Sequence, residues 1–228
     1  MALTLASYNV HRAIGRDGRC QPGRILGVLR EIDPDVVALQ EVEAHEAGGD
    51  MLAWLAAETG MRAIAGTTLA RHDGHYGNAI LTRCEVKATE LVDLSFRNRE
   101  PRGAIVADIE LNGSGSLRVV ATHLGLRPAE RREQVERLVK IFTWNEQDRS
   151  VLMGDLNEWF LWGRPLKHLH RYFAATPALP TFPSGRPIFA LDRLWTHPGS
   201  MLRELRAHDS ALARLASDHL PLVGTLTM

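Results

Sequence analysis

Four continuous apolar runs along the chain each stop on a polar side chain able to bind a metal or a phosphate. They are Leu3-Thr4-Leu5-Ala6-Ser7-Tyr8-Asn9, Val36-Val37-Ala38-Leu39-Gln40-Glu41, Leu117-Arg118-Val119-Val120-Ala121-Thr122-His123 and Ser150-Val151-Leu152-Met153-Gly154-Asp155-Leu156-Asn157. A strand with one wet face alternates apolar and polar residues, whereas a run that is apolar almost throughout is covered on both faces. The runs therefore predict an α/β sheet with layers above and below it. Ligands collect outside the ends of such strands, so the polar termini, together with the triplet Ser217-Asp218-His219, are expected to converge on one site.

Between the runs, helix and strand signals alternate in the first half of the chain. Ile25, Leu26, Leu29 and Ile32 recur at helical spacing from Pro22 to Ile32, where Pro34 ends the helix; Met51, Leu52, Leu55 and Ala56 do the same before Gly60. Two strand-loop-helix units predict a partly parallel sheet. The middle reads as short strands at 78–82, 89–94, 103–111 and 117–122, the last two joined by the hairpin signal Asn112-Gly113-Ser114-Gly115. A third helix from Ala129 to about Phe142 turns Val135, Leu138 and Val139 inward and Arg131, Arg132, Glu133 and Glu136 outward. Pro177, Pro180, Pro183 and Pro187 mark a long loop.

At 228 residues and 45% hydrophobic content, a single domain over residues 1–228 is expected. Lys plus Arg and Asp plus Glu are 27 each, so no global basic field exists to hold nucleic acid non-specifically. Cys20 and Cys84 lack CxxC spacing and read as reduced structural thiols. The segment Met1-Ala2-Leu3-Thr4-Leu5 has no basic n-region and no apolar run approaches bilayer length, which leads to the expectation of a cytoplasmic protein whose last strand lies near Leu220 to Thr227.

Seven motifs then stand in a familiar order: Ser-Tyr-Asn-Val-His at 7–11, Leu-Gln-Glu-Val at 39–42, Gly-Asn-Ala-Ile-Leu-Thr-Arg at 77–83, Thr-His-Leu at 122–124, Gly-Asp-Leu-Asn at 154–157, Leu-Asp-Arg-Leu-Trp at 191–195 and Ser-Asp-His-Leu-Pro-Leu at 217–222. In that order they resemble the endonuclease/exonuclease/phosphatase superfamily across nearly the whole chain. Glu100-Pro101-Arg102-Gly103-Ala104 and Thr181-Phe182-Pro183-Ser184 are further similar to a compact bacterial branch of it. The resemblance implies a DNase I-like four-layer α/β sandwich, two mixed β-sheets face to face with helices outside, and a divalent-metal phosphoesterase.

The residues suit that chemistry. Phosphate ester hydrolysis needs phosphoryl charge neutralised, a water positioned in line and the leaving oxygen stabilised. Magnesium, with manganese as a substitute, is a hard ion suited to a few carboxylate or amide oxygens. By resemblance Glu41 is its chief ligand, Asn9 supplies an amide oxygen or orients Glu41, and Asp218 lies beside the metal. Asp155 and Asn157 are spaced i and i+2, so an extended backbone would project both to one side. By resemblance Asp155 orients or deprotonates the water or protonates the leaving group, and Asn157 stabilises phosphoryl charge. Read alone, the same four residues are a strand followed by an Asx turn. By resemblance Asp192 pairs with His219 and would fix the imidazole tautomer and stabilise its charged form, leaving His219 as base or as transition-state stabiliser. His123 is expected to bind the phosphate or position the water, and Arg102 is either a phosphate fork or one half of a surface ion pair. Where abasic-site nucleases carry a tyrosine ahead of the Gly-rich strand, this chain has His75 and Tyr76, one of which would reach the phosphate. The other histidines show no zinc-like spacing.

Substrate choice points to Glu158-Trp159-Phe160-Leu161-Trp162 and to the Pro-rich loop from Thr176 to Pro187. If exposed, Trp159 to Trp162 would contact lipid, stack on bases or wall a pocket; since large aromatics usually end up buried, satellite core packing is the expectation. The leading functional reading is a magnesium-dependent phosphodiesterase or phosphatase for a small or lipid-derived phosphate. A nuclease or abasic-site repair enzyme, with Arg127, Arg131, Arg132 and Arg137 as a phosphate track, is the alternative, and nucleic acid is disfavoured by the neutral charge. A non-catalytic phosphate-binding module is weakest, because every expected site residue is present.

Overall fold

Alternation along β1 (Ala2–Asn9) shows why its sequence is apolar throughout: Leu3 and Leu5 pack into one buried layer while Ala6 and Tyr8 pack into another. The computed structural model describes residues 2–45, 49–71, 74–111, 113, 115–142 and 148–228. After β1 come α1 (Pro22–Ile32), β2 (Val36–His45), β3 (Gly49–Asp50), α2 (Met51–Thr59), β4 (Arg62–Arg71), β5 (Gly74–Thr82), β6 (Glu85–Asp93), β7 (Gly103–Leu111) and β8 (Gly115–His123). The chain continues through α3 (Pro128–Leu138), β9 (Ser150–Asp155), α4 (Arg164–Leu169), β10 (Asp192–His197), β11 (Leu202–Ala207), α5 (Ala211–Ala216) and β12 (Leu222–Thr227).

Two mixed sheets result, one in the order β11-β12-β1-β2-β5-β4 with β3 against β2, the other β10-β9-β8-β7-β6. Each has one parallel pair, β1 with β2 and β8 with β9. Leu3, Leu5, Val36, Ala38 and Ile80 of the first sheet meet Ile105, Ala107, Val119, Val151 and Met153 of the second in a layer between them. The outer face of the first sheet is covered by α1, α2 and α5, and that of the second by α3 and α4. This is the four-layer sandwich expected. Truncating Leu5 to Ala would open a cavity between the sheets, at a cost of roughly 3 kcal/mol.

The helices begin and end where local chemistry allows. Pro22 occupies the first turn of α1, where its missing N–H costs nothing, and the Asp50 carboxylate caps α2 by accepting from the backbone N–H groups of Leu52 and Ala53. Gly60 closes α2 with a φ of 67°.

Some expectations change. Arg131 is not on the solvated face of α3: it is buried, with Nε 3.1 Å from Glu158 Oε2 and Nη1 donating to the carbonyls of Gly125 and Leu126. A guanidinium has five donors and can bind two loops at once, which outweighs the helical periodicity. Cys20 and Cys84 are free, and Cys20 is exposed, so it is no core thiol. The hairpin residues Asn112 and Ser114 lie outside the described residues, as does His72; β7 and β8 pair from Ala104 with Thr122 to Leu111 with Gly115. Strands β4 and β11 and the six-residue helices α4 and α5 were not expected, being too polar or too short to show a period. No described helix is long and apolar enough to cross a membrane.

Candidate active site

Strand register brings the polar termini together. In the parallel pairs Asn9 stands beside Gln40 and His123 beside Asp155, and the antiparallel β10 sets Asp192 on the other flank of Asp155. Because β12 runs antiparallel to β1, the segment just before it delivers Ser217, Asp218 and His219 to the same end of the sandwich. The result is an open cleft of about 400 Å³ lined by Asn9, Glu41, Tyr76, Arg102, His123, Asp155, Asn157 and His219 on its polar side.

Glu41 reaches the cleft through a distortion. The pairing of β2 with β5 slips between Leu39 and Val42, and Glu41 takes a φ of 58°, a left-handed conformation that a non-glycine residue adopts at a cost. The bulge turns the carboxylate to Asn9, whose Nδ2 lies 3.1 Å from Glu41 Oε1 and 3.1 Å from Asp155 Oδ2. Asn9 Oδ1 is occupied by the backbone N–H of His11 at 3.0 Å. The Nδ2 contacts orient Glu41 and Asp155, and Oδ1 keeps a second lone pair, so both uses expected for Asn9 stand.

Asp155 is the centre of the site. Its Oδ1 accepts from the backbone N–H of Asn157 at 2.8 Å, while Oδ2 also faces His123 Nε2 at 3.6 Å and His219 Nε2 at 3.7 Å. Asn157 has a φ of 51°, so the backbone is not extended there, and the i, i+2 argument fails in its premise. Both residues reach the cleft because Asp155 closes an Asx turn, which swings the Asn157 amide to Leu124 O and His123 at 3.0 Å each. Gly154 is required: with φ 150°, an added Cβ would lie 1.9 Å from Thr122 O.

The two buried histidines are driven in opposite directions. Burial, then the Arg102 guanidinium, holds His123 down to about 3, against the pull of Asp155. Arg102 Nη1 lies 3.1 Å from His123 Nδ1 and can only donate, so Nδ1 is the acceptor and the ring proton sits on Nε2, facing the cleft. The Asn157 Nδ2 at 3.0 Å is then donor against donor. For His219, burial opposes charge, but the carboxylates of Asp192 and Asp155 prevail and push it up to about 10. Asp192 Oδ2 accepts from His219 Nδ1 at 2.8 Å and from the Thr181 hydroxyl at 2.6 Å.

Other expected residues fall differently. Tyr76 lines the cleft, and burial, then the Glu41 charge, raises its phenol. His75 does not line it, because neighbours on a strand face opposite ways. Arg102 is buried with an ion pair to Glu100 at 3.2 Å, so it is no surface arginine. Asp218 stands beside the cleft, half-exposed, 3.6 Å from His11 Nδ1. Thr181 and Glu158 had no spacing signal, since Thr181 reaches Asp192 of β10 from the Pro-rich loop and Glu158 meets Arg131 of α3 across the fold. Trp159 to Trp162 are exposed rather than packed in a satellite core, Glu158 before them being drawn under α3 by Arg131.

The donor set suits a hard divalent cation. Burial, with Asp155 and Asp218 nearby, raises the Glu41 carboxyl, although Asn9 and His11 oppose the shift; a cation would offset the clustered negative charge. Asp155, Asp192 and His219 also bring three ligand atoms within 4.8 Å of one another. The tight His219 to Asp192 hydrogen bond marks that pair as an oriented imidazole first.

A family model of the Endonuclease/Exonuclease/phosphatase family matches residues 6–219. The chain belongs to that family. Endonuclease/exonuclease/phosphatase proteins generally hydrolyse phosphate ester bonds. The uncharacterised protein YbhP of Escherichia coli (strain K12) is 31% identical over 212 residues, covering 85% of this chain and 83% of YbhP. A solved endonuclease/exonuclease/phosphatase structure from Beutenbergia cavernae superposes with a TM-score of 0.81 at 23% identity, over 100% of this chain and 72% of that one. The human Nocturnin catalytic domain with bound sulfate gives 0.75 at 20%, over 99% and 93%. TDP2 of D. rerio complexed with a single-strand DNA product gives 0.72 at 18%, over 100% and 99%.

Proposed function

We propose that this chain, as one catalytic domain, hydrolyses a phosphodiester or phosphomonoester by in-line attack of water, with magnesium as cofactor and manganese as a substitute. The observation that carries this reading is the convergence of Asn9, His123, His219 and the Asn157 turn on the single carboxylate of Asp155. Glu41, held by Asn9, would hold the ion with Asp218 beside it, and the ion would neutralise charge on the phosphoryl oxygens.

The remaining chemistry belongs to the side chains. Asp155 orients the attacking water and accepts its proton, a role suited to a carboxylate whose two oxygens are already fixed by Asn9 and Asn157. His123 Nε2–H and the Asn157 amide donate to phosphoryl oxygens from one side, and Arg102 supports the His123 ring from behind. His219, charged at neutral pH and held by Asp192, faces the transition state as a cation.

A small or lipid-derived ester suits the cleft because its second wall is apolar, with Leu69, Leu126, Trp159, Phe182 and Leu191. The nuclease reading draws support from likeness to a TDP2 that was solved with single-strand DNA. Against it, Arg131 is withdrawn from the proposed phosphate track by Glu158.

Hydrolysis of bis(4-nitrophenyl) phosphate with and without EDTA tests the proposal. Wild type should require the divalent ion, and Asp155→Asn, folded by circular dichroism, should lose activity on the order of 10³-fold. A rate unchanged by Asp155→Asn would remove Asp155 from the chemistry. Nicking of a supercoiled plasmid carrying abasic sites, abolished in His219→Ala, would move the assignment to the nucleases.

A further inference from the structure

Between Glu158 and Asp192 the chain departs from its overall neutrality. From Trp159 to Leu191 there are 33 residues without one Asp or Glu, while Arg164, Lys167, Arg171 and Arg186 supply four positive charges. All four are exposed, and none has an ion-pair partner among the described residues. The same stretch sets apolar side chains in water: Phe160 is 57% exposed, Leu161 56%, Trp162 68% and Ile188 61%, and Leu126 stands out likewise from the loop before α3. Phe160 and Trp162 pack ring to ring at 5.7 Å and form one ridge.

The ridge is continuous with the cleft. Trp159, the residue before it, lines the cleft and packs edge-on against Phe189 at 4.8 Å and Phe182 at 5.9 Å. Phe182 in turn lies 4.8 Å from the His219 ring. An apolar path thus runs from the exposed ridge to the imidazole proposed for the chemistry.

Exposed apolar groups of this kind mark a docking site, and their surroundings choose the occupant. A second copy on a two-fold axis would bring the basic rim against itself, like charge on like. Single-stranded nucleic acid would satisfy the cations and find the rings of Phe160 and Trp162 to stack on, but it would leave the aliphatic Leu126, Leu161 and Ile188 in water. An anionic lipid surface uses both features, apolar tips entering the headgroup boundary and cations meeting the headgroups. We propose that the Phe160 to Trp162 ridge and the basic side chains around it dock this protein on an anionic phospholipid bilayer, with the cleft mouth against the membrane. The inference rests on the phosphoesterase reading of the cleft: a lipid-linked phosphate ester would enter from the membrane, its apolar part along Trp159 and Phe182.

Co-sedimentation of the full chain with vesicles tests the docking. Wild type should bind vesicles of phosphatidylcholine with one part in three phosphatidylglycerol, and bind pure phosphatidylcholine or high-salt samples far less. Arg164→Glu with Lys167→Glu should lower partitioning by at least roughly thirtyfold, from about fivefold per basic side chain near an anionic surface. Phe160→Ser with Trp162→Ser should lower it about tenfold or more. Both double variants should keep the wild-type rate on bis(4-nitrophenyl) phosphate. A folded wild type that stays in the supernatant, double variants that bind as wild type does, or a loss seen on a single-stranded oligonucleotide and not on vesicles would each overturn the proposal. Vesicle binding by a protein that cleaves neither this diester nor 4-nitrophenyl phosphate would support docking and remove the phosphoesterase reading; ester hydrolysis without vesicle binding would do the reverse.

Discussion

On the floor of the cleft, Asn9, Asp155, Asn157 and His219 are each no more than 5% exposed; Asp155 is hydrogen-bonded to Asn9 and to the Asn157 backbone, and His219 stands 3.7 Å away, the four arriving from the end of β1, the end of β9 and the segment before β12. At the rim, Trp159 to Trp162 follow the same strand β9, stand largely in water and are held mainly by one another and by the Pro-rich loop. The two regions sit side by side and obey different constraints. Buried polar groups must be satisfied where the dielectric is low, so each floor residue is determined by its neighbours. Rim residues have few neighbours to satisfy, and their chemistry answers to whatever binds there.

The contrast breaks most completely if the floor tolerates change. Glu41→Gln should reduce hydrolysis on the order of 10³-fold and weaken magnesium affinity in the same titration calorimetry experiment; normal affinity would place the ion elsewhere, for instance at Asp155, Asp192 and His219. Next in size is the joint between the regions. Glu158→Gln leaves the buried Arg131 guanidinium without its carboxylate, and the urea midpoint should fall by an amount equivalent to roughly 3 kcal/mol. An unchanged midpoint would mean that the carbonyls of Gly125 and Leu126 suffice.

A pH series sharpens the comparison. The folded value of His219 is raised from 6.5 to about 10, so its contribution to stability is fully present below 6.5 and is lost as pH rises through about 10. Without divalent metal, wild type should lose stability over that window, and Asp192→Asn should give a flatter profile; parallel profiles would exclude the Asp192 to His219 pair as the cause. Thr181→Val removes one hydrogen bond to Asp192 and should cost about 1 kcal/mol, with a several-fold fall in kcat and little change in KM. The smallest effect is expected at the rim, where Trp162→Ser should leave stability within about 0.5 kcal/mol.

Much of the floor was legible because a strand end is a local event. A run such as Leu117 to Thr122 followed by His123 announces both the strand and the group at its tip, whereas β2 continues past Glu41 to His45. Even so, the route to the site was not always the one inferred: Glu41 arrives through a bulge, and Asn157 through a left-handed turn. Arg131, read from helical periodicity as solvated, and Trp159 to Trp162, read from size as buried, were both misplaced for one reason. Whether a side chain is covered depends on which distant segment lies over it, and no local pattern reports that.

The sequence by itself determined the layered α/β class, the strand-end residues and the family motifs, because backbone periodicity and short-range chemistry are written in neighbouring residues. Tertiary structure alone decided that Arg102 supports His123, that Thr181 holds Asp192 and that the aromatic ridge stands in water. Those relations join residues brought together by sheet register and loop closure, and they arise only once the two sheets have packed.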